Sequence, residues 1–155
     1  MTTDNRMPTV KAEMLIRKSV EAVFEAFINP EVTTRFWFTK SSGRLEAGSK
    51  IRWEWEMYGA ADEVQVLVLE KNRKLRIRWT DRSETEWRFV DRADRTTYVT
   101  ITTSGYEGDE ESRVNRAIDD MGGYTIVLCG LKAYLEHGVV LNLVADKAPD
   151  LNVNR

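Results

Sequence analysis

The feature that most constrains this chain is its last long apolar segment, Glu111 to Gly138, ESRVNRAIDDMGGYTIVLCGLKAYLEHG. Val114, Ile118, Met121, Thr125, Leu128, Leu131 and Leu135 recur at steps of three or four, the period of one helix face. Tyr124, Val127 and Tyr134 widen that stripe, so the second half is apolar around much of its circumference. Such a helix must lie against something large. At ~1.5 Å per residue, about 26 residues reach roughly 39 Å, enough to cross a curved sheet.

What precedes it reads mostly as strand. Thr9 to Arg17 alternates, with Val10, Ala12, Met14 and Ile16 on one face. Ser19 is placed to cap a short helix carrying Ala22, Val23, Ala26 and Phe27, and Asn29-Pro30 stops it. A second turn of helix follows, Glu31 to Arg35, then Phe36-Trp37-Phe38. Gly43 and Gly48 bracket a short strand and turn. Lys50 to Met57 is the clearest strand: Ile51, Trp53, Trp55 and Met57 on one side, Lys50, Arg52, Glu54 and Glu56 on the other. Further strands run over Asp62–Leu69, Leu75–Trp79, Thr85–Phe89 and Tyr98–Thr103, separated by short polar turns. Short turns at regular spacing mean an antiparallel meander with one apolar, aromatic face. That face needs a cover, and only the C-terminal helix is long enough to be one.

The expected fold is therefore α+β: a curved antiparallel sheet wrapped on a long C-terminal helix, with two short helices after the first strand. Residues 1–8 are read as a frayed tail, 9–138 as a single domain, and 139–155 as an extension. Val139, Val140, Leu141, Leu143 and Val144 make that extension too apolar for a free tail, so it should pack on the domain or on a second copy in a homodimer.

Lys plus Arg number 23 against 25 Asp plus Glu, so neither a nucleic-acid footprint nor a membrane-binding polybasic block is present. No run approaches the ~20 apolar residues of a membrane span, and the N-terminus MTTDNRMPTV has no apolar signal core. The single cysteine, Cys129, allows no internal disulfide and suits a reducing, cytoplasmic setting. One histidine and one cysteine make a zinc site of the usual type implausible, and no phosphate loop or dinucleotide fingerprint implies a cofactor.

Four strings resemble the START-like or SRPBCC superfamily with its helix-grip fold, in the branch of activator-of-heat-shock-protein-90-ATPase homologues. SVEAVFEAFINPEVTTRFW is similar to that family's opening, with Lys18-Ser19 where Ala-Pro is frequent. GRLEAGSKIRWEW resembles its glycine-flanked turn into an aromatic strand, and VQVLVLEKNRKLRIRW its next hairpin. GGYTIVLCGLKAYLE is similar to its helix, with Tyr124 where Trp is common. The resemblance implies a cavity between sheet and helix, in which relatives bind lipids, hormones or polyketides and some catalyse cyclisation or hydrolysis. It also raises a stress-related chaperone partner. Eukaryotic activators contact the chaperone through an additional N-terminal domain for which these 155 residues leave no room, so that partner is unsupported.

The candidate site follows from the aromatic set. Trp37, Trp53, Trp55, Trp79, Trp87 and Phe89, with Met121, Tyr124 and Leu128 of the helix, are expected to line a pocket for a small apolar or aromatic molecule. The same residues could instead fill a solid core. No catalytic residue is assigned. Asp62 and Tyr124 are the groups an enzyme would use, and Asp119-Asp120 beside Arg116 are expected at the surface. Gly122-Gly123 signal close packing, a kink, or room for a ligand. Cys129 is expected as an inert core thiol, and His137 as a charge at the helix end before a Gly138 cap.

Overall fold

The computed structural model of the chain describes residues 8–151. The frayed tail expected over residues 1–8 lies, but for Pro8, outside them. Strand β1 (Val10–Ile16) leads into helices α1 (Val20–Ile28) and α2 (Pro30–Thr33). Strands β2 (Lys40–Ser41), β3 (Lys50–Trp55), β4 (Ala60–Glu70), β5 (Lys74–Arg78), β6 (Glu84–Arg92) and β7 (Thr96–Ser104) follow. Helix α3 (Glu110–His137) and a single turn, α4 (Leu143–Asp146), complete it. All seven strands form one antiparallel sheet in the order β1-β7-β6-β5-β4-β3-β2. This is the expected α+β helix-grip architecture.

Local chemistry sets the helix ends. Ser19 Oγ accepts from the Ala22 amide, and Asn29 Oδ1 from the Glu31 amide at 3.0 Å with Pro30 in the first position. Asp109 Oδ1 accepts from the Ser112 amide at 2.8 Å, and Gly138, at φ 66°, closes α3 as the sequence predicts.

Period-two alternation sets the sheet's faces. Ile51, Trp53, Val64, Val66, Leu75, Ile77, Trp87, Phe89, Val99 and Ile101 are buried on the inner face. On the outer face Arg76 pairs with Glu84 and Glu86, Arg78 with Glu84, and Arg88 and Lys74 with Glu86. Partly exposed pairs of this kind each contribute little, but they form a network across β5 and β6. The continuous run Val64–Leu69 has its explanation in a bulge between Val66 and Val68, which turns Leu69 to face the core opposite Leu75.

Three local expectations are corrected. The strand expected between Gly43 and Gly48 falls earlier, at Lys40–Ser41, because the chain leaves the sheet to bury Leu45, whose amide bonds to the Ile28 carbonyl. Strand β3 ends at Trp55, and Glu56–Tyr58 form a 3-10 turn, so Met57 does not continue the inner face. The third concerns α3. Its stripe was expected to run through Val114, Ile118 and Met121, yet these are 42%, 65% and 47% exposed. The buried face is Tyr124, Val127, Leu128, Gly130 and Leu131. Continued toward the N-terminus at helical steps, that face carries Asp120 and Arg116. The inward side of the first half is therefore polar, and its apolar side faces out beside Pro8–Val10.

Candidate functional site

Three tryptophans reach the site from three different elements. Trp37 follows α2, Trp55 ends β3, and Trp79 follows β5, where its amide bonds to the Ser83 carbonyl across a tight turn. Their ring centroids form a near-equilateral triangle: 6.2 Å for Trp37–Trp55, 6.4 Å for Trp37–Trp79 and 6.3 Å for Trp55–Trp79. Trp37 also meets Trp53 at 5.0 Å, Trp87 at 5.9 Å and Tyr124 at 6.0 Å. All five tryptophans thus join through one residue.

The triangle borders a cavity of ≈ 270 Å³ between the sheet and the middle of α3, from Arg116 to Val127. Trp37, Trp55, Trp79, Tyr124, Ile126 and Val127 supply apolar wall. Asp62, Asp81, Ser83, Arg116 and Asp120 supply a polar side, while Gly123 and Val144 complete the lining. A Cβ added at Gly123 would meet nothing within 4 Å, so the missing side chain leaves open space. Helix α3 runs unbroken through this position, and the glycine makes room. Val144 belongs to α4, which lies over the cavity. The Tyr58 hydroxyl donates to the Lys147 carbonyl at 2.5 Å and is in close contact with the Val144 carbonyl.

The aromatic set therefore divides. Trp37, Trp55, Trp79 and Tyr124 border the cavity; Trp53, Trp87, Phe89 and Leu128 are buried behind it. Met121 is a correction: it points away from the cavity, into a surface groove with Val114 and Ile118, because the inward helix positions are 116, 120, 123, 124 and 127. Cys129 is partly buried and His137 is exposed at the helix end, outside the site.

Beneath the cavity lies a buried hydroxyl network. Thr85 Oγ1 accepts from Trp79 Nε1 at 2.8 Å and lies 2.8 Å from Thr103 Oγ1 and 3.1 Å from the Tyr124 hydroxyl. It fixes the rotamers of Trp79 and Tyr124. Burial pushes the Tyr124 phenol well above its ordinary pKa, and a nearby Asp120 adds to it. Tyr124 thus stays protonated, and its hydroxyl shares a hydrogen bond with Thr85.

The polar side is acid-rich. Asp62 Oδ1 accepts from Thr80 Oγ1 at 2.6 Å and from the Glu63 amide at 2.8 Å. Burial disfavours the Asp81 carboxylate, but hydrogen bonds from Ser83 Oγ and N and the Arg116 charge outweigh it and hold its pKa below the usual range. Asp120 is the opposite case. Burial raises its pKa above the usual range even though the Tyr106 hydroxyl donates to Oδ2 at 2.6 Å and Arg116 is near. The expectation of a surface position holds for Asp119, which is exposed, and fails for Asp120, which the inward helix face carries to the cavity. The sequence places Arg116 at the surface with Asp120, and it offers no role for Asp81, Ser83 and Thr85 beyond turn and strand positions. The available signal was the spacing of Arg116, Asp120, Gly123 and Val127 at steps of four, three and four, a polar-to-apolar stripe on one helix face.

Among the described residues no group of three or more His, Cys, Asp or Glu could hold a metal ion, and no helix is long and apolar enough to cross a membrane.

An antiparallel sheet gripping a long helix, with a cavity between them, defines a helix-grip domain of the SRPBCC type. The family model "Activator of Hsp90 ATPase homolog 1-like protein" matches residues 17–136, and the chain belongs to that family. Among solved structures it is similar to protein SSP2350 of Staphylococcus saprophyticus, with 31% identity, covering 86% of this chain and 96% of that one, TM-score 0.75. It is similar in fold to MLL2253 of Mesorhizobium loti (18% identity, 85% and 99% covered, TM-score 0.74). The Aha1 dimer of Colwellia psychrerythraea is a further likeness (19% identity, 85% and 98% covered, TM-score 0.72). No curated protein matches the chain.

Proposed function

We propose that this protein is a cytoplasmic binding domain for a small hydrophobic molecule, held between the inner sheet face and the Tyr124–Val127 side of α3. The observation that carries this reading is the ≈ 270 Å³ cavity bordered by Trp37 at the edge of the core and by the partly buried Trp55 and Trp79. An aromatic ring buried there loses about 150 Å² of wet surface, which at ~25 cal/mol per Å² contributes about 4 kcal/mol before ordering costs. Alone that corresponds to no better than about a millimolar dissociation constant, so tighter binding must come from further contacts along the cavity wall.

Native mass spectrometry before and after solvent extraction tests this, together with a titration of the neutral probe N-phenyl-1-naphthylamine. We expect an extractable extra mass or a saturable rise in probe fluorescence, weakened about tenfold in Trp79→Ala. A clean apo mass together with no saturable probe signal refutes the reading.

A second reading concerns assembly. Val114, Ile118 and Met121 form an exposed apolar stripe on α3, and the Colwellia protein of the same fold is a dimer. A second copy of this chain fits that stripe. Sedimentation of the wild type and Ile118→Glu decides it: a dimer that the substitution dissociates supports it, and a monomeric wild type at 100 μM, about the upper end of a working concentration, rules it out.

A further inference from the structure

If the cavity is a ligand site, its charge and its rings restrict what it takes. Three carboxylates, Asp62, Asp81 and Asp120, border it with one guanidinium, Arg116. Arg116 is committed: it pairs with Asp81 and lies 5.0 Å over the Tyr106 ring. Lys147 reaches Gly122 of α3 and is not part of the lining.

Asp62 and Asp120 take their described hydrogen bonds from neutral groups, and the cation near Asp120, Arg116, is the one paired with Asp81. Asp62 sits on the inner face of β4, in register opposite Trp53, and its described hydrogen bonds come from a threonine hydroxyl and a backbone amide, both on Oδ1. Asp120 takes its described hydrogen bond from a tyrosine hydroxyl, on Oδ2. A carboxylate against apolar surface with no cation of its own is an incomplete electrostatic arrangement. The indole triangle stands beside it. All three tryptophans line the cavity: Trp37 meets the other two rings edge to face, and Trp55 and Trp79 lie at 34° to each other, with centroids 6.2–6.4 Å apart. Indole is the ring that attracts cations best, and several rings around one space suit an ammonium that is alkylated and weakly hydrated.

We propose that the ligand is a lipophilic ammonium, a tertiary or quaternary amine on an apolar body. Its alkylated nitrogen is received by Trp37, Trp55 and Trp79 on the side of the cavity where Asp62 and Asp120 stand. This deepens the hydrophobic-ligand reading and rests on it. The positive charge completes the two carboxylates. The alkyl groups fill the cage, and the apolar body extends along Ile126 and Val127. An anion is disfavoured because its one available counter-charge already serves Asp81. A strongly hydrated primary amine loses more water than the cage returns.

The test compares three phenyl ligands of different charge: benzyltrimethylammonium, its uncharged carbon isostere neopentylbenzene, and the anion 3-phenylpropionate. Binding to the full chain is followed by saturation-transfer NMR and calorimetry, with N-phenyl-1-naphthylamine as the neutral reference. The expected order is cation, then isostere, then anion, the cation exceeding the isostere by about tenfold. Asp62→Asn and Asp120→Asn, near-isosteric changes checked for folding by near-ultraviolet circular dichroism, each lower the cation's affinity about three- to tenfold and leave the isostere's unchanged. Equal affinity of cation and isostere overturns the ammonium assignment and leaves the hydrophobic pocket standing. Preference for 3-phenylpropionate overturns it in favour of Arg116 as the reader. Failure of all three ligands and of the neutral probe overturns both readings.

Discussion

Helix α3 carries three interior glycines, and each can be assigned a separate purpose by adding one methyl group. Gly to Ala in a helix interior gains about 0.8–1.0 kcal/mol from backbone entropy alone. At Gly123 a Cβ meets nothing within 4 Å, so Gly123→Ala should keep that whole gain. At Gly122 the nearest atom is Lys147 Nζ at 3.3 Å, the end of a flexible side chain that can move aside, so the gain there is only slightly smaller. At Gly130 the methyl would lie 3.1 Å from Phe36 Cβ and 3.4 Å from the Phe36 carbonyl oxygen. Phe36 is buried and packed edge-on against Phe27, so it cannot yield freely, and overpacking of this kind costs about 1–3 kcal/mol. The net for Gly130→Ala is then roughly zero to 2 kcal/mol destabilising. In a domain of this size about 1 kcal/mol moves Tm by about 2–4 °C. Urea and thermal unfolding should therefore show Gly123→Ala more stable than wild type and Gly130→Ala no more stable, or less. Gly123→Leu, which projects into the cavity, should keep the fold and abolish probe binding. Equal stabilisation at 123 and 130 would refute the close approach of α3 to Phe36. Wild-type probe binding by Gly123→Leu would refute the claim that Gly123 exists to leave ligand space.

Thr85→Val leaves the Trp79 indole N–H and the Tyr124 hydroxyl without their shared buried partner, at about 1–3 kcal/mol, read as a lower urea midpoint with an unchanged slope. Asp120 has its pKa raised by burial, so the fold binds its proton more tightly than the unfolded chain does, and its ionised form costs stability at neutral pH. That cost disappears as pH falls below the unfolded value, so Asp120→Asn should raise Tm at pH 7, with the advantage vanishing near pH 3. An unchanged or lower Tm at pH 7 would count against the buried position. Tyr58→Phe removes the hydroxyl that holds the Lys147 carbonyl; it should speed amide exchange across α4 and accelerate probe release while leaving the global Tm within about 1–2 °C, because the contact is local.

The fold was legible because its two periods are clean. Ile51, Trp53 and Trp55 against Arg52 and Glu54 can only be a half-buried strand, and one long apolar helix can only cover the face that such strands share. The site was legible by residue type and not by position. Five tryptophans announced an aromatic centre, but alternation cannot say which ring stops at the core and which stops at a void. Trp53 and Trp87 are nearly or wholly buried while Trp55 and Trp79, on the same inner face, are not. That difference comes from where α3 and α4 lie, which is tertiary information. Helical period failed at Val114–Ile118–Met121 for a related reason. Periodicity finds the apolar stripe, and a helix that roofs a cavity turns a polar stripe inward. Asp120 and Arg116 were in view as a surface cluster, and only the phase of the second half of the helix relative to the sheet moves them inside.

That change of phase has a counterpart in the sheet. Cross-strand register aligns Thr85 with Thr103 and Trp87 with Ile101, and sets Asp62 opposite Trp53. Along the inner face of β6 and β7 the residues therefore pass from Thr85 and Thr103 to Trp87 and Ile101, then to Phe89 and Val99. Along α3, laid across the same face, they pass from Arg116 and Asp120 through Tyr124 to Val127, Leu128 and Leu131. Sheet and helix change polarity at the same level, where the Tyr124 hydroxyl meets Thr85. An apolar core does not continue past that level, since every further layer would have to bury the charge of Asp62, Asp120 or Arg116. The cavity thus follows from the matched polarity of the two layers rather than from loose packing. Its aromatic wall is the last layer of the core, and its acidic side is the first layer beyond it. A ligand that suits such a boundary must be apolar at one end and positively charged at the other.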